Sequence, residues 1–167
     1  MNINEYNKCV DKFSDQVYRF LLKSIRNEFE AKDLVQDTFE KLWIKRKEIE
    51  MSKAKSYIFT CAYHEMIDHI RKNKNNTDLS ETDKLSQTIY NQYSDIQEIL
   101  QLALNKMKPE QRSVILLRDL EGYSYDEIAE ITGLSLSAVK VYIFRGRLFL
   151  KTFLEKSHVL SLDDLED

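Results

Sequence analysis

Three cations near the C-terminus, Lys140, Arg145 and Arg147, lie among apolar residues in a pattern that favours contact with duplex DNA. Arg and Lys bind phosphates and guanine edges, and an apolar side chain such as Phe144 can lie against a thymine methyl group. A helical wheel at about 100° per residue separates two faces. The face expected to pack contains Val139, Ile143, Gly146 and Leu150. The face expected to point outward contains Ser137, Lys140, Val141, Phe144, Leu148 and Lys151.

The residues before this helix have the spacing of a helix-turn-helix motif. Ser124 and Glu127 form the pattern of a capping box, which would begin a first helix. Gly133 can adopt the left-handed turn that ends it, and Ser135 can cap the next helix. The predicted contacts to an upstream duplex element are Ser135, Ser137, Lys140, Val141, Phe144, Arg145 and Arg147. The alternative is an amphipathic helix that docks on another protein surface.

A second group of aromatic, cationic and amide side chains lies on a helix predicted from Ser56 to Lys72 and in the polar residues after it. Rings can stack on unpaired bases while cations track phosphates. Tyr63 is expected to be exposed for this purpose. The predicted contacts to a melted strand are Tyr57, Tyr63, His64, Asp68, Arg71, Lys72 and Asn73. In the alternative interpretation, Tyr63 packs at a rim and the cations interact with the helix dipole.

Residues 32–43 combine a buried stripe with an acidic and aromatic edge. Protein interfaces favour aromatic anchors surrounded by charged residues, so this edge suits docking of a protein partner. The predicted contacts are Asp33, Gln36, Asp37, Phe39 and Trp43. A solvated helix face would explain the same pattern.

We expect no catalytic site, metal or cofactor. His64 begins a segment similar to the zinc motif H-E-x-x-H, and it shares a helical face with Cys61, but Asp68 replaces the second His and no further ligand follows. Cys9 and Cys61 lack the C-x-x-C spacing of a structural zinc site or disulfide framework. The chain also lacks a Gly-rich phosphate loop and a nucleophile elbow.

The composition predicts an all-α fold. The 167 residues include only three Gly and one Pro, and no alternating β-branched runs are separated by turn signals. No apolar run approaches the ~20 residues that span a bilayer, and residues 1–5 lack the blocks of a signal peptide. We therefore expect a cytoplasmic protein without membrane insertion.

The net charge of −3 is unevenly distributed along the chain. Within residues 134–156, Glu155 is the sole acidic residue. The cations there are Lys140, Arg145, Arg147, Lys151 and Lys156. The resulting positive field is local, which suits docking on DNA.

Periodicity and composition predict two small helical domains joined by a flexible linker. The first covers residues 1–76, and residues 77–92 form the linker. The second covers residues 93–158, where Pro109 suits the first turn of a helix and the helix-turn-helix follows. Residues 159–167 form an acidic tail. In the first domain, helices are expected near residues 4–25, 30–47 and 53–72.

In this order, the segments resemble the extracytoplasmic-function (ECF) group of bacterial RNA polymerase sigma factors over nearly the whole chain. Residues 33–39 are similar to the family's polymerase-clamp-binding helix, residues 56–71 to its promoter-melting helix, and residues 122–147 to its minus-thirty-five-reading motif. Three motifs in register make the resemblance specific. The chain has Tyr57, His64 and Tyr142 where the family often has Trp, Asn and Arg, and these changes bear on which promoter is read.

The resemblance implies a transcription initiation factor that binds core RNA polymerase through the residue 33–43 edge, holds the melted minus-ten strand with the residues around Tyr63, and reads the upstream duplex around Lys140. It implies promoter DNA as a partner, an anti-sigma protein as inhibitor, and nucleotidyl transfer by the polymerase rather than by this chain. The alternative is a free-standing helix-turn-helix regulator whose N-terminal domain senses a ligand or dimerises.

Overall fold

The computed structural model describes residues 1–76 and 96–157, and the all-α expectation is confirmed for them. We call these two ranges the N-terminal half and the C-terminal half. The predicted linker at 77–92 and the acidic tail at 159–167 lie outside the described residues. The helices are α1 (Ile3–Ile25), α2 (Glu28–Lys45), α3 (Ala54–Asn76), α4 (Ile96–Lys106), α5 (Pro109–Ile115), α6 (Tyr125–Thr132) and α7 (Leu136–Lys156).

The caps predicted for the helix-turn-helix are confirmed. Ser124 Oγ accepts the N–H of Glu127 at 3.2 Å, and a Glu127 carboxylate oxygen accepts the N–H of Ser124 at 2.8 Å. Gly133 ends α6 in the left-handed region at φ 72°, where a side chain would be strained. Ser135 then caps α7 by accepting the N–H of Ala138. The two helices of the motif are therefore bounded by their own local hydrogen bonds.

A five-residue π-helix, Leu116–Leu120, continues α5. It buries Leu116 and Leu117 and leaves Asp119 exposed beside α7. The chain then turns at Gly122, with φ 76°, and buries Tyr123. The π-helix therefore places the carboxylate of Asp119 next to the second helix of the helix-turn-helix, α7.

The two halves pack directly against each other, which the sequence did not predict. α3 lies against α6, and α1 contacts α4 and α5. The rings of Phe59 and Tyr123 are 5.3 Å apart between centroids, and Arg112 Nη1 donates to the Ser24 carbonyl oxygen at 2.6 Å. Gln101 also donates to the Lys23 carbonyl oxygen at 3.1 Å. The described residues thus form a closed arrangement with a shared apolar core.

The contact between α7 and α5 depends on Gly146. A Cβ at Gly146 would lie 2.8 Å from the Ile115 side chain and 3.0 Å from Met107 Cε. Because overpacking a core costs about 1–3 kcal/mol, Gly146→Val is expected to lower the free energy of unfolding by that amount in a urea titration. Ser137→Val, at an exposed position of the same helix, is the control and should change it by less than about 0.5 kcal/mol. Equal stability of both variants would show that α7 does not need this close approach.

Candidate functional site

The outward face of α7 has the composition that the sequence predicted. Phe144 is 71% exposed, Leu148 55% and Val141 41%, whereas Val139 and Ile143 are buried. Lys140 and Arg145 are also exposed, and neither has an ion pair among the described residues. Together the face offers cations and apolar groups in the combination that suits phosphates, guanine edges and thymine methyl groups.

Two of the predicted duplex contacts are already engaged within the protein. Ser135 Oγ serves as the cap of α7. Arg147 donates from Nε and Nη2 to the two carboxylate oxygens of Asp119, at 3.2 and 2.5 Å. This bidentate pair raises the pKa of Arg147 and fixes the side chain against the π-helix. Sequence reasoning missed Asp119, because no spacing rule links positions 28 residues apart.

The prediction that Tyr63 is exposed on α3 is wrong. Its side chain is 4% exposed, because α3 packs on a second surface where Glu110 and Tyr142 of the C-terminal half lie nearby. Burial raises the pKa of the Tyr63 hydroxyl to about 12. Tyr57 is half-buried, and burial likewise raises its pKa to about 12. Neither ring is free to stack on a base in the closed arrangement.

The polar end of α3 is exposed as predicted. The exposed residues there are His64, Asp68, Arg71, Lys72 and Asn73. Arg71 Nη2 lies 3.9 Å from the Glu110 carboxylate of the C-terminal half. His69, which the sequence did not single out, lies 2.9 Å from Glu30 Oε2 and thereby connects α3 to α2. The cations at this end are accessible, but Arg71 also faces the other half.

The acidic edge of α2 is exposed as predicted, except that Phe39 is buried. Asp33, Gln36 and Asp37 are solvent-accessible, but Phe39 is only 6% exposed because it packs into the core of the N-terminal half. In this arrangement Phe39 therefore packs beneath the edge and is not accessible to a protein partner.

Trp43 supplies the aromatic group of the α2 edge. Its side chain is 37% exposed, and its ring is 4.9 Å from that of Tyr6 and 3.7 Å below the guanidinium of Arg46. Tyr6 also donates to the Phe39 carbonyl oxygen at 3.2 Å. These contacts hold a partly exposed aromatic side chain in place on the helix that carries the acidic residues, and interfaces favour such aromatic anchors.

Residues 1–76 and 96–157 contain no group of three His, Cys, Asp or Glu side chains placed to hold a metal ion. Cys9 and Cys61 are free thiols. In the same part of the chain, no helix is both long enough and apolar enough to cross a membrane.

Comparison with known proteins places both halves in one family. Residues 9–76 match the family model described as Sigma-70 region 2, and residues 97–150 match that described as Sigma-70, region 4. The RNA polymerase sigma factor YlaC of Bacillus subtilis (strain 168) is 33% identical over 155 residues, covering 87% of this chain and 90% of the relative. The ECF RNA polymerase sigma factor SigM of the same organism is 29% identical, covering 83% of this chain and 88% of the relative.

The fold is shared with solved structures. A co-crystal structure of the sigma factor RpoE with the anti-sigma factor NepR from Bartonella quintana matches with a TM-score of 0.75 at 24% identity, covering 92% of this chain and 98% of that one. A structure of CnrH in complex with the cytosolic domain of CnrY matches with a TM-score of 0.70 at 22% identity, covering 93% and 90%. From the two region models and the relatives aligned over most of its length, the chain belongs to the ECF group of RNA polymerase sigma factors, which direct RNA polymerase to promoters.

Proposed function

We propose that the two halves act as separate domains with different tasks in initiation. The exposed edge formed by Asp33, Gln36, Asp37 and Trp43 binds core RNA polymerase, and the end of α3 holds the melted minus-ten strand. The outward face of α7 reads the minus-thirty-five duplex. The observation that carries this assignment is that Lys140 and Arg145 are exposed beside Phe144 and form no ion pair with the residues that the structure describes. The polymerase performs the chemistry in the cytoplasm, and this chain supplies promoter recognition.

The assignment of α7 is tested by the double variant Lys140→Ala, Arg145→Ala. Each side chain that reads a base edge should contribute about 1–3 kcal/mol of discrimination between a matched and a scrambled upstream element, and a phosphate contact should contribute less, without sequence preference. The measurement is binding of the polymerase complex to both duplexes. Lys8→Ala, Lys47→Ala removes the same charge from exposed positions of the N-terminal half and is the control. Unchanged selectivity in the α7 variant would reject the assignment.

Simultaneous reading of both promoter elements requires the halves to separate. The minus-ten and minus-thirty-five elements are named for positions about 25 base pairs apart, which is about 85 Å along B-form DNA. In the closed arrangement the Phe59 and Tyr123 rings are 5.3 Å apart. A protein with these contacts cannot span both elements, so we propose that the halves part on polymerase and that Tyr63 is thereby uncovered.

We also propose an anti-sigma protein as the inhibitor of this chain. The support is the similarity in fold, over both halves, to RpoE bound to the anti-sigma factor NepR and to CnrH bound to the cytosolic domain of CnrY. Deleting the gene for the cognate inhibitor is expected to raise transcription from the promoters that this chain serves. Unchanged transcription after removal of every candidate inhibitor would contradict the proposal.

A further inference from the structure

A cleft of about 430 Å³ lies where the two halves meet, and cations line its wall. The N-terminal half contributes the ends of α1 and α3 and part of α2, and the C-terminal half contributes Asn105 of α4 and Arg112 of α5. The cations are Arg26, Lys74 and Arg112. The volume is within the range of about 300–1,000 Å³ that is usual for small-molecule sites. The cleft can therefore hold a ligand that touches both halves at once.

The buried charge of Arg112 lacks a counter-charge within the described residues. Its side chain is 8% exposed, Nη1 donates to the Ser24 carbonyl oxygen, and Nε has no hydrogen-bond partner in the same part of the chain. Burial lowers the pKa of Arg112, and no described carboxylate forms an ion pair with it. A buried charge without an opposite charge is costly in free energy. An anion in the cleft would supply the missing charge.

Arg26 and Lys74 add two further positive charges to the cleft. Both are exposed, and neither forms an ion pair within residues 1–76 and 96–157. Arg26 ends α1 at φ 56°, in the left-handed region that favours glycine, so its side chain lies beside the cleft despite a strained backbone. The Glu30 carboxylate on the cleft wall lies 2.9 Å from His69 Nε2. Three Arg or Lys side chains against this carboxylate leave the lining positive.

We propose that this cleft binds a small phosphorylated molecule, which holds the two halves in the closed arrangement. A phosphate group carries about two negative charges and three acceptor oxygens, and Arg binds it through paired hydrogen bonds. A ligand that touches both halves binds the closed arrangement better than the separated halves, so it shifts the equilibrium towards the closed form. The effect on transcription, though not the binding, rests on the proposed function, because a chain held closed cannot span both promoter elements.

Binding is tested by isothermal titration calorimetry of the full chain with inorganic pyrophosphate, at constant ionic strength and without Mg²⁺. We expect saturable binding at a single site. Arg26→Gln with Lys74→Gln should weaken it at least about 10-fold, because two charge-assisted contacts are lost. The control, Lys8→Gln with Lys47→Gln, removes the same charge from exposed positions outside the cleft and should weaken it less than about 2-fold. Absence of saturable binding, or equal weakening in both variants, would overturn the proposal.

The effect on the halves is tested by single-molecule fluorescence energy transfer. The dyes are attached to unnatural amino acids in place of Lys53 and Glu130, which are exposed residues of the two halves. At a pyrophosphate concentration about ten times the Kd, the ratio of closed to open chains should rise about 10-fold, because the ligand binds only one state. Arg26→Gln with Lys74→Gln at the same concentration should change the ratio about 2-fold or less. An unchanged ratio in the natural chain would show that the bound anion does not hold the halves together, which would overturn the proposal.

Neither measurement involves DNA or polymerase, so failure of this inference can be distinguished from failure of the proposed function. Closure of the chain by pyrophosphate, with promoter selectivity insensitive to Lys140→Ala and Arg145→Ala, would support the anion site and reject the DNA-reading role of α7. Promoter selectivity that depends on Lys140 and Arg145, without saturable binding of pyrophosphate, would reject the anion site and support that role.

Discussion

Asp33→Lys together with Asp37→Lys is expected to abolish binding to core RNA polymerase. Both carboxylates are exposed at i, i+4 on one face of α2, so they can meet a basic surface without rearrangement of the fold. Reversal of both charges would place like charges opposite each other, which costs several kilocalories per mole. A loss of about 3 kcal/mol corresponds to a more than 100-fold weaker complex, which titration of labelled chain with core polymerase can measure.

The matched control for this experiment is Asp11→Lys with Asp15→Lys. These residues are exposed on α1 at the same i, i+4 spacing, so the control makes an identical change in net charge. Phe39 is left intact, because its burial means that truncation would damage the core as well as the interface. Polymerase binding equal to that of the control would remove the α2 edge from the interface.

Arg112→Met is expected to shift the chain from the closed arrangement towards separated halves. Arg112 is 8% exposed, its Nη1 donates to the Ser24 carbonyl oxygen across the contact between halves, and burial lowers its pKa. A hydrogen bond from a charged group contributes about 1.5–3 kcal/mol, so its loss should shift the equilibrium about 10- to 100-fold towards the open form. Small-angle scattering should then show a larger radius of gyration, and binding to a single-stranded minus-ten oligonucleotide should increase as Tyr63 becomes accessible.

Arg147→Met is the control for the opening experiment. Its guanidinium is bound to Asp119 within the C-terminal half, so this change removes an arginine and its hydrogen bonds at a place outside the contact between halves. Equal scattering from Arg112→Met, Arg147→Met and the natural chain would show that Arg112 does not hold the closed arrangement together.

The sequence alone determined the features that depend on near neighbours in the chain. The Ser124 and Glu127 capping box, the left-handed Gly133 and the two faces of α7 were all predicted and are present. Each is governed by residues three or four positions apart, where helix geometry fixes which groups meet. The three motifs in register also identified the family, since their order and spacing can be read along the chain.

The tertiary structure decided which of the predicted residues are accessible. Tyr63 is buried because α3 contacts helices on two sides, whereas a helical wheel assumes one buried face. Phe39 is buried because it extends the core stripe of α2. The Arg112 contact with Ser24 and the Arg147 pair with Asp119 join residues 88 and 28 positions apart. Periodicity describes the direction of a side chain from its own helix, but only the packing of the other helices determines whether that direction leads to solvent or to a partner.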